Sequence, residues 1–256
     1  MSDRGPDHPN SPDRTDRTDR TGGPRIRQPE RKATMAGKPL IIDDLRKSYG
    51  DLRVLDGMSF TVRPGEIYGF VGANGSGKST LALTMGGLLE PMGGAVAASD
   101  QIARGAGANP MKWKSKQLAQ RIGSVFQAPE HQFVTATVRE ELELGPKLLK
   151  DPDGAERVDE LLERLRLTHL AGANPFTLSG GEKRRLSVAT VLSTAPSMVI
   201  LDEPTFGQDR RTFAELLRML RHLVDEGVTV VSITHDPLVV AAMGDHVIDL
   251  GEVGER

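Results

Sequence analysis

The sequence GANGSGKST, from Gly72 to Thr80, decides the fold of this chain. A glycine, four further residues and then Gly-Lys-Ser follow one another in the order of a phosphate-binding loop. An apolar run of strand length, Glu66–Val71, precedes it, and Leu81–Met85 continues as a helix. This order of strand, loop and helix predicts a nucleotide site, and a glycine-rich turn without a ligand is the alternative.

The residue types in this loop suit phosphate. Its glycines let the backbone turn with the N–H groups pointing inward, so that these amides and the helix N-terminus form a cage for phosphate oxygens. Lys78 adds a positive charge, and Ser79 offers a hydroxyl to Mg²⁺. The loop residues that we predict to bind nucleotide are Gly72, Asn74, Gly75, Ser76, Gly77, Lys78, Ser79 and Thr80.

Composition limits the remaining possibilities. The 256 residues are 38% hydrophobic, which is enough for a substantial core. The net charge of −2 argues against a nucleic-acid partner, since readers of the phosphate backbone are usually basic. The chain contains no cysteine, which excludes disulfides, thiol catalysis and cysteine-ligated zinc. No apolar run approaches the ~20 residues needed to cross a bilayer, so we expect a soluble chain whose membrane role would require a partner.

Residues 1–34 have almost no apolar side chains and repeat Asp-Arg-Thr between Asp13 and Thr21. Such a segment cannot bury enough surface to offset its ordering entropy, and we predict that it is disordered. A basic arm that contacts lipid headgroups is the alternative, and Met35 could equally be the true start.

Two kinds of region are predicted around the loop. From Pro39 to Val71, short apolar runs broken by turns predict a small antiparallel layer, in which Tyr49 could stack on a purine or merely pack at a turn. A surface helix is predicted at Met111–Gln120, and residues 129–176 are predicted to be rich in helix. Two apolar stripes in the latter region indicate core, with a partner groove as the alternative. They are Val134, Val138 and Leu142, and Val158, Leu161, Leu162 and Leu165.

The apolar run Met198–Leu201 predicts a buried strand, and it ends in Asp202 and Glu203. Because successive strand residues face opposite sides, the two carboxylates can serve different functions. We predict that Asp202 holds Mg²⁺, through water, and that Glu203 faces the attacking water as base or orienting group. A solvated acidic strand end is the structural alternative.

Two further predicted strands end in polar residues. Gln127 follows Ile122–Phe126, where ligands gather at the carboxyl ends of strands in open α/β sheets, and it is a candidate contact for metal and water. His235 follows Val228–Thr234 and could bridge a γ-phosphate and the nucleophilic water, although a lone histidine is most often structural.

The sequence LSGGE, residues 178–182, opens another predicted helix. Ser179 as N-cap and Glu182 three positions later form a capping box, which explains both residues structurally. The intervening Gly180 and Gly181 cost helix stability unless a backbone is approached closely, and exposed N–H groups there would also suit a phosphate.

Taken together, these motifs resemble the ATP-binding cassette ATPases over Pro39–Leu250. The resemblance implies an α/β fold, with a P-loop NTPase (RecA-like) core, an antiparallel β subdomain and an inserted helical subdomain at about residues 129–176, in an ATPase domain of residues 35–256. It implies that ATP and Mg²⁺ are bound and that Tyr49 stacks on adenine. The remaining ATP contacts that it implies are Ser179, Gly180, Gly181 and Glu182, which face the nucleotide of a second subunit, and Asp209. Glu182 departs from the glutamine that the family has more often.

Within that family, Val125–Gly145 and Leu201–Asp209 resemble the energy-coupling-factor importers of vitamins and transition-metal ions. The resemblance implies a second ATPase subunit, as a heterodimer or homodimer, at the cytoplasmic face of the membrane. It also implies a transmembrane scaffold and a substrate-binding membrane protein. A coupling helix of the scaffold would dock in a groove that includes Gln132, Phe133 and the stripe of Val134 and Val138.

Three alternatives remain at this point. The chain could energise another class of cassette transporter, act as a soluble cassette protein in DNA repair or translation, or be a non-catalytic regulatory subunit. The last is disfavoured because Lys78, Glu203 and His235 are all present.

Overall fold

The described part of the chain forms a central six-stranded sheet and a separate three-stranded sheet. The computed structural model describes residues 26–27, 40–204, 210–234 and 245–251. Its strands are β1 (Ile26–Arg27), β2 (Leu40–Tyr49), β3 (Leu52–Val62), β4 (Ile67–Val71), β5 (Gly93–Ala98), β6 (Ile122–Val125), β7 (Met198–Asp202), β8 (Thr229–Ile233) and β9 (His246–Asp249).

The larger sheet has the order β1-β9-β4-β8-β7-β6. Its neighbours from β9 to β6 pair in parallel, and β1 pairs antiparallel with β9. Parallel strands are covered on both faces and therefore carry continuous apolar runs, as Met198–Leu201 does. The strand before the loop and the strand before the acidic pair flank β8, so their carboxyl ends meet at one edge of the sheet.

The smaller sheet has the order β3-β2-β5 and is antiparallel, as the sequence predicts. β2 and β3 form a long hairpin that turns at Gly50, whose φ of 58° is a conformation that glycine adopts without strain. Burial alternates along much of this hairpin, since one face of an antiparallel sheet covers the core and the other meets solvent.

The helices pack on both faces of the larger sheet, and three of the α-helices lie between β6 and β7. They are α1 (Lys78–Met85), α2 (Asp100–Ala103), α3 (Ser115–Ala119), α4 (Val138–Leu149), α5 (Gly154–Arg164), α6 (Gly180–Leu192) and α7 (Arg210–Asp225). Short 3₁₀ helices lie at Pro110–Lys112, Pro129–Gln132, Thr168–Leu170 and Pro175–Thr177. None of the helices in the described ranges is long and apolar enough to span a bilayer.

Two apolar cores lie on opposite faces of the larger sheet. Ile200 packs in a cluster with residues of the antiparallel sheet and α1, whereas its neighbours Val199 and Leu201 pack in a second cluster with α4 to α7. The strand alternation of side chains produces this division. The inserted helices therefore rest on the same sheet whose edge carries the predicted site.

The structure corrects three expectations. Met111–Gln120 is not one helix: the 3₁₀ helix Pro110–Lys112 ends at Trp113, which is 7% exposed, and α3 starts at Ser115. Of the first apolar stripe, Val138 and Leu142 are fully buried, but Val134 precedes the helix and is 72% exposed. The predicted disorder of residues 1–34 does not extend to Ile26–Arg27, which pair with β9.

The second stripe is buried in the core as predicted, with Val158 and Leu162 at most 1% exposed. The rest of the predicted tail and Met35 lie outside the described residues.

Candidate nucleotide site

The loop between β4 and α1 holds its lysine inside the turn. The Lys78 side chain is 7% exposed, and its ammonium donates to the carbonyls of Gly72 and Ala73, each at 2.7 Å. Gly77 has φ 89°, and a Cβ atom there would stand 2.6 Å from the carbonyl oxygen of Val54. The left-handed turn and the close approach of β3 therefore both require glycine at position 77.

The metal-binding residues predicted from separate motifs meet directly. The Ser79 hydroxyl donates to Oδ2 of Asp202 at 2.8 Å, joining the start of α1 to the end of β7. Burial raises the pKa of the Asp202 carboxyl, the hydrogen bond from Ser79 opposes that shift, and the nearby Glu203 carboxylate adds to it. A positive charge at this point would favour the ionised form.

Glu203 occupies an unusual backbone conformation directly after β7. Its φ is 48°, in the left-handed region that residues with a side chain rarely adopt, and it is 7% exposed. Its amide donates to the carbonyl of Ile233 at 2.8 Å, and Oε2 accepts a hydrogen bond from the Thr234 hydroxyl at 3.1 Å. The end of β8 thereby fixes both the backbone and the carboxylate of Glu203.

A cavity of about 490 Å³ brings these parts together. Its lining comes from the loop, from the strand ends and from β3 of the antiparallel sheet. The lining residues are Leu52, Val54, Asn74, Gly75, Gly77, Lys78, Ser79, Thr80, Gln127, Asp202 and Glu203. The loop, Gln127 and the acidic pair, predicted separately, therefore surround one volume large enough for a small ligand.

Several predicted site residues stand outside that lining. Ser76 is buried at 3% exposure, and a Cβ atom on Gly72 would come 2.5 Å from the Ser76 hydroxyl oxygen. These two residues therefore pack against each other within the loop and do not line the cavity. Tyr49 is 52% exposed at the β2–β3 turn, and its ring centroid lies 5.9 Å from the Lys47 ammonium. His235 and Asp209 lie outside the described residues.

The start of α6 forms the predicted capping box and does not line the cavity. The Ser179 hydroxyl and amide donate to Oε2 of Glu182 at 2.7 and 2.8 Å. These hydrogen bonds lower the pKa of the Glu182 carboxyl. A Cβ on Gly180 would meet open space, so a molecule outside the chain can approach this backbone.

Sequence reasoning missed four residues that contribute to the site. Leu52 and Val54 on β3 line the cavity, although Tyr49 was the only residue of the β2–β3 hairpin that the sequence predicted to contact a ligand. Thr234, the residue before His235, bonds the Glu203 carboxylate. Arg184 donates to backbone carbonyls at the strand ends, and no motif or spacing in the sequence signals that contact.

The donor set fits Mg²⁺ bound together with a nucleotide. Ser79 and Asp202 present two oxygens within hydrogen-bond distance of each other, and Mg²⁺ in phosphate sites is usually held by one or two protein oxygens plus the substrate's phosphates. No group of three or more His, Cys, Asp or Glu side chains that could hold a metal alone occurs in the part of the chain that the structure describes. The site therefore suits a metal that arrives with its phosphate ligand.

Comparison with known proteins agrees with this geometry. The family model of the ABC transporter domain matches residues 55–206. The chain is 40% identical over 225 residues to the putative HMP/thiamine import ATP-binding protein YkoD of Bacillus subtilis, which covers 88% of this chain and 40% of that protein. It is 38% identical over 205 residues to the energy-coupling factor transporter ATP-binding protein EcfA1 of Lacticaseibacillus paracasei, covering 78% of this chain and 71% of that protein.

Solved structures agree as well. CbiO1 from Clostridium perfringens, part of the ABC transporter complex cbiONQ, superposes with a TM-score of 0.70 at 32% identity, over 82% of this chain and 83% of that one. The dimeric bacterial ABC transporter cassette MJ0796 gives 0.71 at 28% identity, over 85% and 97%.

The fold and the site define a P-loop ATPase with an antiparallel β subdomain, as predicted. More narrowly, the chain belongs to the ABC transporter family and carries its ATPase domain. The matched region spans less than half of YkoD, so the activity and partners of a whole transporter do not transfer directly.

Proposed function

We propose that this chain binds and hydrolyses ATP as the ATPase subunit of an energy-coupling-factor importer for a vitamin or a transition-metal ion. One observation carries the proposal: Lys78, the Ser79–Asp202 pair and Glu203 line a single cavity beside the phosphate loop. A P-loop, a metal-holding carboxylate and a second acid placed to act on water are the parts that phosphoryl transfer to water needs.

The loop supplies the phosphate contacts. Lys78 lines the cavity at the start of α1, and two loop carbonyls hold its ammonium there. The N-terminus of a helix favours bound phosphate. Ser79 and Asp202 would hold Mg²⁺, and Gln127 from the same lining would be its further contact. When bound, Mg²⁺ neutralises charge on the phosphate oxygens.

Glu203 is the group that we assign as general base or orienting group for water. Glu203 lines the cavity, and Oε2 of its carboxylate accepts a hydrogen bond from the Thr234 hydroxyl. Because Glu203 has a fixed backbone and little exposure, it keeps one orientation, and orientation contributes strongly to such steps. His235 remains our proposed bridge between γ-phosphate and water.

A second ATPase chain would complete the site. The signature residues Ser179, Gly180, Gly181 and Glu182 do not line their own chain's cavity, and the backbone at Gly180 faces open space. Two chains arranged head to tail would each place this helix start on the nucleotide of the other. The dimeric state of MJ0796 supports a pair of chains, and our proposal covers a homodimer or a heterodimer. A ligand that binds the closed dimer better shifts the pair toward closure only as far as its affinities differ.

An apolar groove of about 460 Å³ offers a docking place for the transmembrane scaffold. Phe126, Val134 and Leu148 line it and are 37%, 72% and 55% exposed, and Gln132 lies among them. Phe133 and Val138, which we expected in the groove, are instead in the core at 5% and 0% exposure. A helix of the scaffold with apolar side chains would cover this surface, placing the chain at the cytoplasmic face of the membrane.

Two other functions remain open to test. Another class of ABC transporter would use the same ATPase site with different membrane proteins, and a soluble cassette protein would use it with none. The name of YkoD supports import, and the name of EcfA1 supports an energy-coupling factor transporter. Membrane proteins that co-purify with the chain from its native host would separate the three functions.

The Glu203→Gln variant tests the catalytic assignment. We expect phosphate release from Mg·ATP to fall by about 10²- to 10⁴-fold, the usual contribution of a positioned base, with ATP affinity retained. Steady-state phosphate release and binding of a fluorescent ATP analogue give the two readouts. Glu90→Gln, at an exposed carboxylate outside the cavity lining, is the matched control. Wild-type hydrolysis by Glu203→Gln would contradict the assignment.

A further inference from the structure

Arg184 is a buried cation at the ends of two parallel strands. It lies on α6, five residues after the N-cap Ser179, and is 3% exposed. Its guanidinium donates to the carbonyl of Phe126 at 2.6 Å and to that of Asp202 at 3.4 Å, and it also donates to the carbonyl of Glu203. The planar fork of donors makes arginine able to serve several acceptors in fixed geometry.

The contact with Glu203 matters because of the backbone conformation there. A residue with a side chain at φ 48° persists only where the surrounding structure holds it. Its amide donates to Ile233, the last residue of β8, and its carboxylate accepts a hydrogen bond from Thr234, the next residue. The Glu203 carbonyl is bound by Arg184 from α6. Contacts from the end of β8 thus hold the amide and the carboxylate of Glu203, and its carbonyl is held by a different element, α6.

Because Arg184 lies on α6, its contact connects Glu203 to the helix that starts at the predicted inter-chain nucleotide contact. The helix begins with Ser179, whose predicted ligand is the nucleotide of the second chain, and Arg184 lies about 7.5 Å further along a rigid helix. Phe126 immediately precedes Gln127 and lines the docking groove. Arg184 therefore links the helix that would meet the partner chain to the carbonyl beside Gln127 and to the carbonyl of the proposed base.

We propose that Arg184 is a positioning residue for ATP hydrolysis. It keeps Glu203 in its left-handed conformation, with the carboxylate directed into the cavity, and it ties that conformation to the helix that starts at Ser179. This inference rests on the proposed function of Glu203. The competing explanation is that Arg184 only satisfies buried carbonyls and contributes stability alone.

Arg121 provides a matched control for that explanation. It is 7% exposed and likewise donates to backbone carbonyls, those of Ala103 at 2.7 Å, Gln117 at 2.8 Å and Arg104 at 3.3 Å. Arg121 precedes β6 at the opposite end of that strand from Gln127. Replacing either arginine by methionine removes a buried fork of similar size, but only one of them touches the catalytic strand ends.

The experiment measures kcat, KM for ATP and the melting temperature of full-length Arg184→Met, Arg184→Lys and Arg121→Met. We expect Arg184→Met to lower kcat by about ten- to a hundredfold, the scale of a small misplacement, with KM and ATP-analogue binding within about twofold of wild type. Arg184→Lys should fall between, since an ammonium keeps the charge without the fork. Arg121→Met should lower the melting temperature by a similar amount to Arg184→Met but keep the wild-type kcat.

Two results would overturn the inference. One is a kcat for Arg184→Met, or for Arg184→Lys if the methionine variant does not fold, that matches Arg121→Met at equal stability. The other comes from adding Arg184→Met to the Glu203→Gln variant. If Arg184 acts through Glu203, the double variant should hydrolyse ATP within about twofold of the rate of Glu203→Gln alone. An undiminished further loss would show that Arg184 acts elsewhere.

The same set separates the two proposals. If Glu203→Gln keeps full hydrolysis, the role of Glu203 is wrong. If Glu203→Gln is inactive while Arg184→Met turns over normally, only the role of Arg184 is wrong.

Discussion

Replacing Glu141 by leucine should destabilise the chain through the loop that forms the edge of the docking groove. Glu141 lies on α4 and is 1% exposed. Its Oε2 accepts three hydrogen bonds, from the amides of Val134 and Thr135 at 3.0 and 2.8 Å and from the Thr135 hydroxyl at 2.7 Å. One carboxylate oxygen therefore organises the segment that carries Val134 into the groove.

The expected loss follows from those three bonds. A hydrogen bond to a charged group contributes about 1.5–3 kcal/mol, but the bonds share one oxygen and Val134 is close to water, so we expect a total of about 2–4 kcal/mol. For a domain of this size each kcal/mol lowers the melting temperature by about 2–4 °C, which gives roughly 5–15 °C. Thermal unfolding followed by circular dichroism measures it.

Glu143→Leu, on the same helix, is the comparison. Glu143 pairs with Lys147 at 2.6 Å and Arg139 at 3.7 Å near the surface, where such pairs contribute about 0–1 kcal/mol. Equal melting temperatures for the two leucine variants would refute the reasoning that the buried carboxylate, and not helix charge in general, orders the loop.

Two further predictions concern docking and pH. Val134→Asp places a charge on a groove side chain that is 72% exposed, so co-purification of membrane partners should fall at least tenfold. Phosphate release by the chain alone should stay within about twofold of wild type. Undiminished co-purification would place the docking surface elsewhere. The hydrogen bond from Arg157 lowers the pKa of the Asp151 carboxyl, so Asp151 contributes stability above its unfolded pKa of about 3.9 that is lost as pH falls toward the folded value. The melting-temperature difference between wild type and Asp151→Asn should thus be constant from pH 8 to about pH 5 and shrink below about pH 4. An undiminished difference at pH 3 would contradict this.

Much of the site could be predicted because its parts are local. The loop from Gly72 to Thr80 needs glycines and a lysine at fixed spacing within one turn, and that requirement is visible in the sequence itself. Buried parallel strands must be apolar, so the run Met198–Leu201 predicted both the strand and the position of Asp202 at its carboxyl end. The capping box at Ser179 and Glu182 is equally local, and the structure forms it as predicted.

Other features depended on tertiary contacts between distant segments. Periodicity placed Val134 with Val138 on one apolar stripe, but a helix that begins only at Val138 leaves Val134 exposed in the groove. The left-handed backbone of Glu203 and its contacts to Thr234 and Arg184 arise where β7, β8 and α6 meet. Local spacing therefore determined which chemical groups are present, whereas the packing of sheet against helix determined which of them face the cavity and what holds them there.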